Sequence, residues 1–189
     1  MLKWRELDAG ERKAWYDEKL CRDFPADEVK PFETIEGLVA GGAYHCFLFS
    51  DESDTPMAYA YTMTAGKYTL LDYLAVEPDM RGKGIGSQVL PILTESLIPN
   101  GNSMLIEAEN PACALNLDDR STRLKRVRFY KSAGMHMTEV LSTAFGVEYR
   151  ILTGGASCTD RQAAEGLEAV YRAMLSEPVF NQNFSVRLP

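Results

Sequence analysis

Histidine is scarce and cysteine is scattered in this chain of 189 residues. His45 and His136 are the only histidines, and Cys21, Cys46, Cys113 and Cys158 include no C-x-x-C pair. A structural zinc site needs four closely spaced ligands, so no metal is expected. His45 and Cys46 are neighbours in a strand-like run and point to opposite faces, which keeps them out of one coordination sphere. Cys113, just after a strand-like run, reads as a small packed thiol in preference to one near an active site. No run approaches the ~18 apolar residues of a membrane span, and Met1–Arg5 has no apolar stretch behind it, so a cytoplasmic protein without disulfides is expected. Repeats and low-complexity segments are also missing. Cations are the minority: net charge is −7 and the pI is about 4.9, which argues against nucleic acid as a partner. With 46% hydrophobic residues the chain suffices for one well-cored domain and is short for two.

Two phosphate-binding signatures are absent as well. Neither glycine pair in the 82–86 stretch completes G-x-G-x-x-G, since Ser87 and Val89 stand where the third glycine belongs, and G-x-x-x-x-G-K-[ST] occurs nowhere. What the chain does have is LLDYLAVEPDMRGKGIGSQVL, Leu70 to Leu90. An apolar strand, stopped by Glu77-Pro78, leads into a glycine turn, and Ile85, Val89, Leu93 and Leu97 then recur as one face of a helix. The turn from Arg81 through Gly82, Lys83, Gly84, Ile85 and Gly86 to Ser87 therefore sits at a helix N-terminus. Unpaired amides, the helix dipole and the Arg81 guanidinium favour a phosphate or pyrophosphate there, and the glycines allow close approach. A purely structural strand-to-helix turn is the alternative.

The pattern R-x-x-G-x-G at Arg81, Gly84 and Gly86, following Tyr73–Val76 and Glu77-Pro78, resembles the acetyl-CoA pyrophosphate loop of the GNAT superfamily of N-acetyltransferases. Downstream, Lys125–Met135 resembles that family's late helix, with Phe129-Tyr130 followed by Gly134 and Met135. The resemblance covers about residues 1–153. It implies an α/β (α+β) fold with a central mixed, mostly antiparallel sheet flanked by helices, and acetyl-CoA as cosubstrate. It also implies that the backbone of Leu74, Ala75 and Val76 pairs with the pantetheine arm, and that Tyr130 protonates the departing thiolate. Lys131 is expected near a CoA phosphate, or in solvent. The family's asparagine upstream of the tyrosine has no clear counterpart unless Asn110 or Asn116 serves.

An acceptor amine must lose a proton before it attacks a thioester. Glu107 and Glu109, on one face of the strand Met104–Glu109, and Asp72, on the earlier strand, are the candidate bases. The glutamates could instead pair with basic residues of the neighbouring helix, and Asp72 could meet only solvent. Arg120, Arg123, Lys125, Arg126 and Arg128 form a dense basic run, read as a solvated helix face or as one from which an arginine meets a strand carboxylate or an acidic acceptor.

The rest of the chain interleaves β and α. A strand at Trp4–Leu7 precedes a helix from Ala9-Gly10 to Cys21, and a second helix is expected from about Asp27 to Ala40 with Pro31 in its first turn. Strands at His45–Phe49 and Pro56–Thr64 form a hairpin. Ser121–Ser132 reads as helix, and Met135–Val140 and Glu148–Leu152 as strands about Gly146. Pro91 should bend the helix it interrupts. Residues 154–189 form an extension whose helix, Thr159–Ser176, presents Ala163, Leu167, Val170 and Met174, and whose last residues pack on the domain, complete the sheet or meet a second subunit. The function expected is acetyl transfer to a small-molecule or peptide amine; a CoA-binding regulatory module or an interaction protein are the alternatives.

Overall fold

The computed structural model describes residues 2–26 and 28–188. Eight strands are hydrogen-bonded in the order β1-β2-β3-β4-β5-β7-β6-β8, a mixed and mostly antiparallel arrangement with helices between strands. Two compact units make up the chain: Met1–Met63 with Asp72–Val89, and Thr64–Leu71 with Leu90–Pro189.

In the first unit, β1 (Lys3–Glu6) pairs antiparallel with β2 (Tyr44–Ser50), and β2 with β3 (Pro56–Ala65). Between them lie α1 (Ala9–Trp15), a π-helical stretch Tyr16–Leu20, a turn of helix α2 (Cys21–Asp23) and α3 (Phe32–Ala40). Asp8 and Glu11 close a reciprocal capping box that starts α1, each bonding the other's backbone amide. Pro31 stands ahead of α3 in an extended conformation, not in its first turn. A proline disfavours helix in the residue before it, which keeps Lys30 out of the helix, and Pro31 itself, at ψ of 142°, stands at the cap position. Asp27, the expected start, lies outside the described residues. Tyr44, Tyr59, Tyr61 and Tyr73 are buried and pack edge-on with Trp15 and Phe24.

The second unit carries β5 (Ser103–Glu109), β6 (His136–Ala144), β7 (Val147–Gly155) and β8 (Phe184–Arg187), with α5 (Leu117–Ser132), α6 (Asp160–Met174) and α7 (Glu177–Asn183). β4 (Tyr68–Val76) begins in this unit, where its first residues pair parallel with β5, and ends in the other. The β6–β7 hairpin turns on Phe145 and Gly146, both at positive φ, and its strands are longer than the alternating pattern predicts. α5 begins four residues before the expected Ser121, because the Asn116 side chain accepts from the Asp119 amide and caps it. The final residues complete the sheet: β8 pairs with β6. α6 buries Ala163, Gly166, Leu167, Val170, Tyr171 and Met174 as one stripe.

α4 (Ile85–Ile92) contains Pro91 and passes into a π-helical stretch, Leu93–Leu97. Proline has no N–H to close the helical bond, and Thr94 donates its hydroxyl to the Leu90 and Pro91 carbonyls (3.1 and 3.2 Å). The wider turn shifts the apolar face, so Ile98 is buried where the four-residue spacing predicts Leu97.

Candidate active site

The strand β4 ends at Val76, Pro78–Met80 form a single tight turn, and α4 begins at Ile85. In the segment between, the Arg81 and Lys83 amides bond back to the Pro78 and Met80 carbonyls (3.3 and 3.4 Å), and the Gln88 amide makes the first helical bond, to Gly84 (3.2 Å). The amides of Ile85, Gly86 and Ser87 precede it and have no acceptor within the helix geometry. Gly82 and Gly84 adopt φ of 75° and 78°, and a Cβ built on either would meet nothing within 4 Å. Open space thus faces a turn that only glycine adopts easily. Gly86 lies inside the helix and is buried. Arg81 is pinned by two bonds, Nε to the Val76 carbonyl (3.0 Å) and a terminal nitrogen to Asp23 (2.9 Å), yet its side chain is 56% exposed. Lys83 is exposed, its Nζ 3.7 Å from the Met80 sulfur. A half-exposed guanidinium, open glycines and the amides ahead of the first helical bond suit an anionic group such as a pyrophosphate.

The parallel ladder of β4 with β5 runs from Tyr68↔Ser103 to Leu71↔Ile106, so Leu74, Ala75 and Val76 stand outside it. Asp72, in the first unit, is far from solvent-bathed: Lys30 Nζ donates to both its oxygens (2.7 and 2.9 Å), and the buried Tyr44 hydroxyl donates to one of them. Burial and the neighbouring Asp72 charge hold the Tyr44 phenol well above its ordinary pKa.

In the second unit the two strand glutamates have different surroundings. Glu109 is ion-paired with Arg126 (2.6 Å) and with Arg123 (3.2 Å), whose side chain is mostly buried and also binds Asp119. Part of the basic run thus meets a strand carboxylate. Glu107 accepts from two hydroxyls, Ser142 Oγ at 2.6 Å and Tyr171 OH at 2.7 Å. Tyr130 is buried near the end of α5, tilted against Phe129 with ring centroids 5.0 Å apart. Burial raises its pKa, opposed by the charge of Arg126, so the phenol is protonated at neutral pH. Lys131, next to it, is exposed.

Asn110 and Asn116 both serve turns. Asn110 accepts from the Ala112 amide and donates to Glu148, and Asn116 caps α5. Cys113 is exposed, not packed: its thiol donates to Glu148 (3.3 Å), which raises the thiol pKa. Strand Met104–Glu109 ends one residue before the turn that carries it to the surface. Among the described residues no cluster of metal-ligating side chains occurs, and no helix is long and apolar enough to cross a membrane. A cavity of about 510 Å³ in the second unit is bounded by Thr94 and Glu95, the turn at 100–102, Gly134-Met135 and Gly155-Ala156; none of the candidate residues lines it.

Sequence reasoning missed three residues that hold this machinery. Asp23 fixes Arg81, and Ser142 and Tyr171 hold Glu107. Only the buried-face spacing of α6 hinted at Tyr171, which falls four residues after Leu167.

These features are those of an acyltransferase. The profile of the acetyltransferase (GNAT) family matches residues 12–135, and the chain belongs to that family. YjbC of Bacillus subtilis (strain 168), an acetyltransferase by assignment, is 30% identical over 126 residues, covering 62% of this chain. The chain spans about half the length of that relative, 54%. Among solved structures, a GNAT-family acetyltransferase by assignment from Bacteroides thetaiotaomicron superposes with a TM-score of 0.69 at 17% identity, covering 87% of this chain and 93% of its own. The ribosomal-protein-S18-alanine N-acetyltransferase of Escherichia coli gives 0.58 at 18% identity (84% and 96% covered). Spermidine N-acetyltransferase of Vibrio cholerae, in complex with CoA and spermine, gives 0.57 at 13% (81% and 94% covered). At these identities the likeness is one of fold.

Proposed function

We propose that this enzyme transfers the acetyl group of acetyl-CoA to a primary amine of a small molecule or peptide by direct attack. The observation that carries the cosubstrate is the open glycine turn ahead of α4, with Arg81 fixed beside amides that precede the first helical bond. Arg81 and the amides of residues 82–87 would take the pyrophosphate, the backbone of Leu74, Ala75 and Val76 the pantetheine arm, and Lys131 an outer phosphate. Acetyl-CoA supplies a thioester carbonyl and leaves as a free thiol.

In this reading Glu107 takes one proton from the acceptor ammonium, the neutral amine nitrogen forms a C–N bond to the carbonyl carbon, and the C–S bond breaks as Tyr130 gives its proton to the departing sulfur. The second nitrogen proton, shed as the amide forms, passes through solvent to restore the Tyr130 phenol, and Glu107 releases its own proton to solvent. Glu107 is preferred to Glu109, whose carboxylate is committed to two arginines, and to Asp72, which is held by Lys30 and Tyr44. Proton transfer from tyrosine, near pKa ~10, to a thiolate whose thiol has a pKa near ~8.5 is uphill, and burial of Tyr130 steepens it; placement, not acidity, must make it efficient. The net charge of −7 favours cationic acceptors. Residues 1–153 would be the acetyltransferase domain and 154–189 an extension of it, with a homodimer as a further possibility for that extension.

Calorimetric titration with acetyl-CoA tests the first half of the proposal. Thiol release with spermidine, butylamine and a short peptide with N-terminal alanine tests the second. Binding without thiol release from any amine would leave a CoA-binding module in place of an enzyme acting on amines.

A further inference from the structure

We infer that the C-terminal segment beyond the family-matched residues completes the catalytic site, with Tyr171 of α6, seconded by Ser142 of β6, as positioning residues for the Glu107 carboxylate. The inference rests on the reading of Glu107 as the base. The family profile ends at residue 135, and both hydroxyls lie after it.

The two bonds, 2.6 Å from Ser142 and 2.7 Å from Tyr171, take one oxygen each, Oε1 and Oε2. A glutamate on a strand has three rotatable bonds, and anchoring both oxygens fixes the plane of its carboxylate. Each anchor is itself held. Ser142 is 1% exposed, inside the ladder between β7 and β8. Tyr171 is 7% exposed, and its ring stacks on Phe184 of β8 with centroids 4.0 Å apart and planes 19° apart. Phe180 of α7 packs in turn on Phe184 at 5.3 Å. The aromatic stack fixes where the phenol stands, and the sheet fixes the serine. Rigid support of this kind is what holds a catalytic group within the fraction of an ångström that proton transfer needs.

The test compares Tyr171→Phe, Glu107→Gln and the double variant, with acetyl-CoA and whichever of spermidine, butylamine or the alanine peptide gives the fastest thiol release. Phenylalanine keeps the stack on Phe184 and removes only the hydroxyl. Tyr171→Phe is expected to lower kcat by about tenfold, with unchanged KM for acetyl-CoA and an unchanged melting temperature. On the Glu107→Gln background the same change should have no further effect on kcat. Glu165→Ala, at an exposed position on the same helix as Tyr171, should turn over at the wild-type rate. Wild-type kcat in Tyr171→Phe while Glu107→Gln is slow overturns this inference alone, as does an undiminished effect of Tyr171→Phe on the Glu107→Gln background. Wild-type turnover in Glu107→Gln, or no thiol release with any of the three amines, defeats the base assignment and this inference with it.

Discussion

Arg81 donates to the carboxylate of Asp23 at 2.9 Å, across 58 residues of sequence, and Asp23 is the better buried of the two, with a side chain 4% exposed. The same carboxylate accepts from Arg22 and from the Tyr59 hydroxyl (2.7 and 3.0 Å). Burial acts to raise the Asp23 pKa, but the bonds from Arg22 and Tyr59 and the charges of Arg22 and Arg81 outweigh it, and the net direction is down. A folded-state pKa below the unfolded one stabilises the fold above the unfolded value, near ~4, and that contribution is lost as pH falls through the folded value. Glu11, lowered to about 2 by its bonds to Arg5 and the Asp8 amide, acts in the same direction. Stability should therefore fall steeply below pH ~4. Asp23→Asn should be less stable at pH 7 and flatter in its pH dependence below ~4. Urea midpoints across pH 2.5 to 7 measure this, and parallel curves for the two proteins would show that Asp23 carries none of it.

Gly84→Asp should abolish binding of acetyl-CoA. The position has φ of 78° and faces open space, so an aspartate side chain would project where a phosphate is to lie and repel it. A loss of at least ~100-fold in affinity by calorimetry is expected, since ~3 kcal/mol is modest for replacing a cradle by a like charge. Undiminished affinity would place the pyrophosphate elsewhere.

Tyr130→Phe should slow turnover about 10- to 100-fold with little change in affinity for acetyl-CoA, because the ring still packs beside Phe129 and only a proton donor is lost. The effect should be largest with the poorest acceptor amines, where departure of the thiolate limits the rate. Wild-type kcat under conditions where chemistry is rate-limiting would make the tyrosine structural.

What could be read in advance divides along sequence distance. The Arg81 turn was legible because strand, stop, glycines and helix are consecutive, and local stereochemistry dictates each of them. The helical face from Ile85 was legible through Leu93 and then slipped by one residue, from Leu97 to Ile98, where the π-helical stretch after Pro91 widens the turn. Of the side-chain partners, only the pairing of a strand glutamate with arginines of the neighbouring helix was legible. Glu107 and Glu109 share a face by alternation, yet one meets arginines from α5 and the other hydroxyls from β6 and α6, 35 and 64 residues away. Asp23 and Arg81 are equally remote in sequence. Their pairing depends on how helices pack, which periodicity does not encode.

The last prediction concerns Gly166, in the middle of α6, where glycine costs about 1 kcal/mol of helix stability relative to alanine. By propensity alone Gly166→Ala should stabilise the protein. Packing argues the other way: a Cβ at this position would lie 2.5 Å from Cδ1 and 2.6 Å from Cγ of Tyr68, atoms of a ring attached close to the backbone of β4. Tyr68 is itself 8% exposed and has little room to withdraw. Forcing a methyl group into such a contact typically costs about 1–3 kcal/mol, and against a ring this close the clash should outweigh the propensity gain, for a net loss of up to about 2 kcal/mol. For a chain of this length that is a fall in melting temperature of roughly 2–4 °C per kcal/mol. Tyr171 lies five residues further along the same helix, so any lifting of α6 from Tyr68 should lengthen the bond to Glu107 and lower kcat along with stability. A variant that melts higher than the wild type would show that α6 re-seats freely on the sheet, and that its glycine is not needed for the close approach.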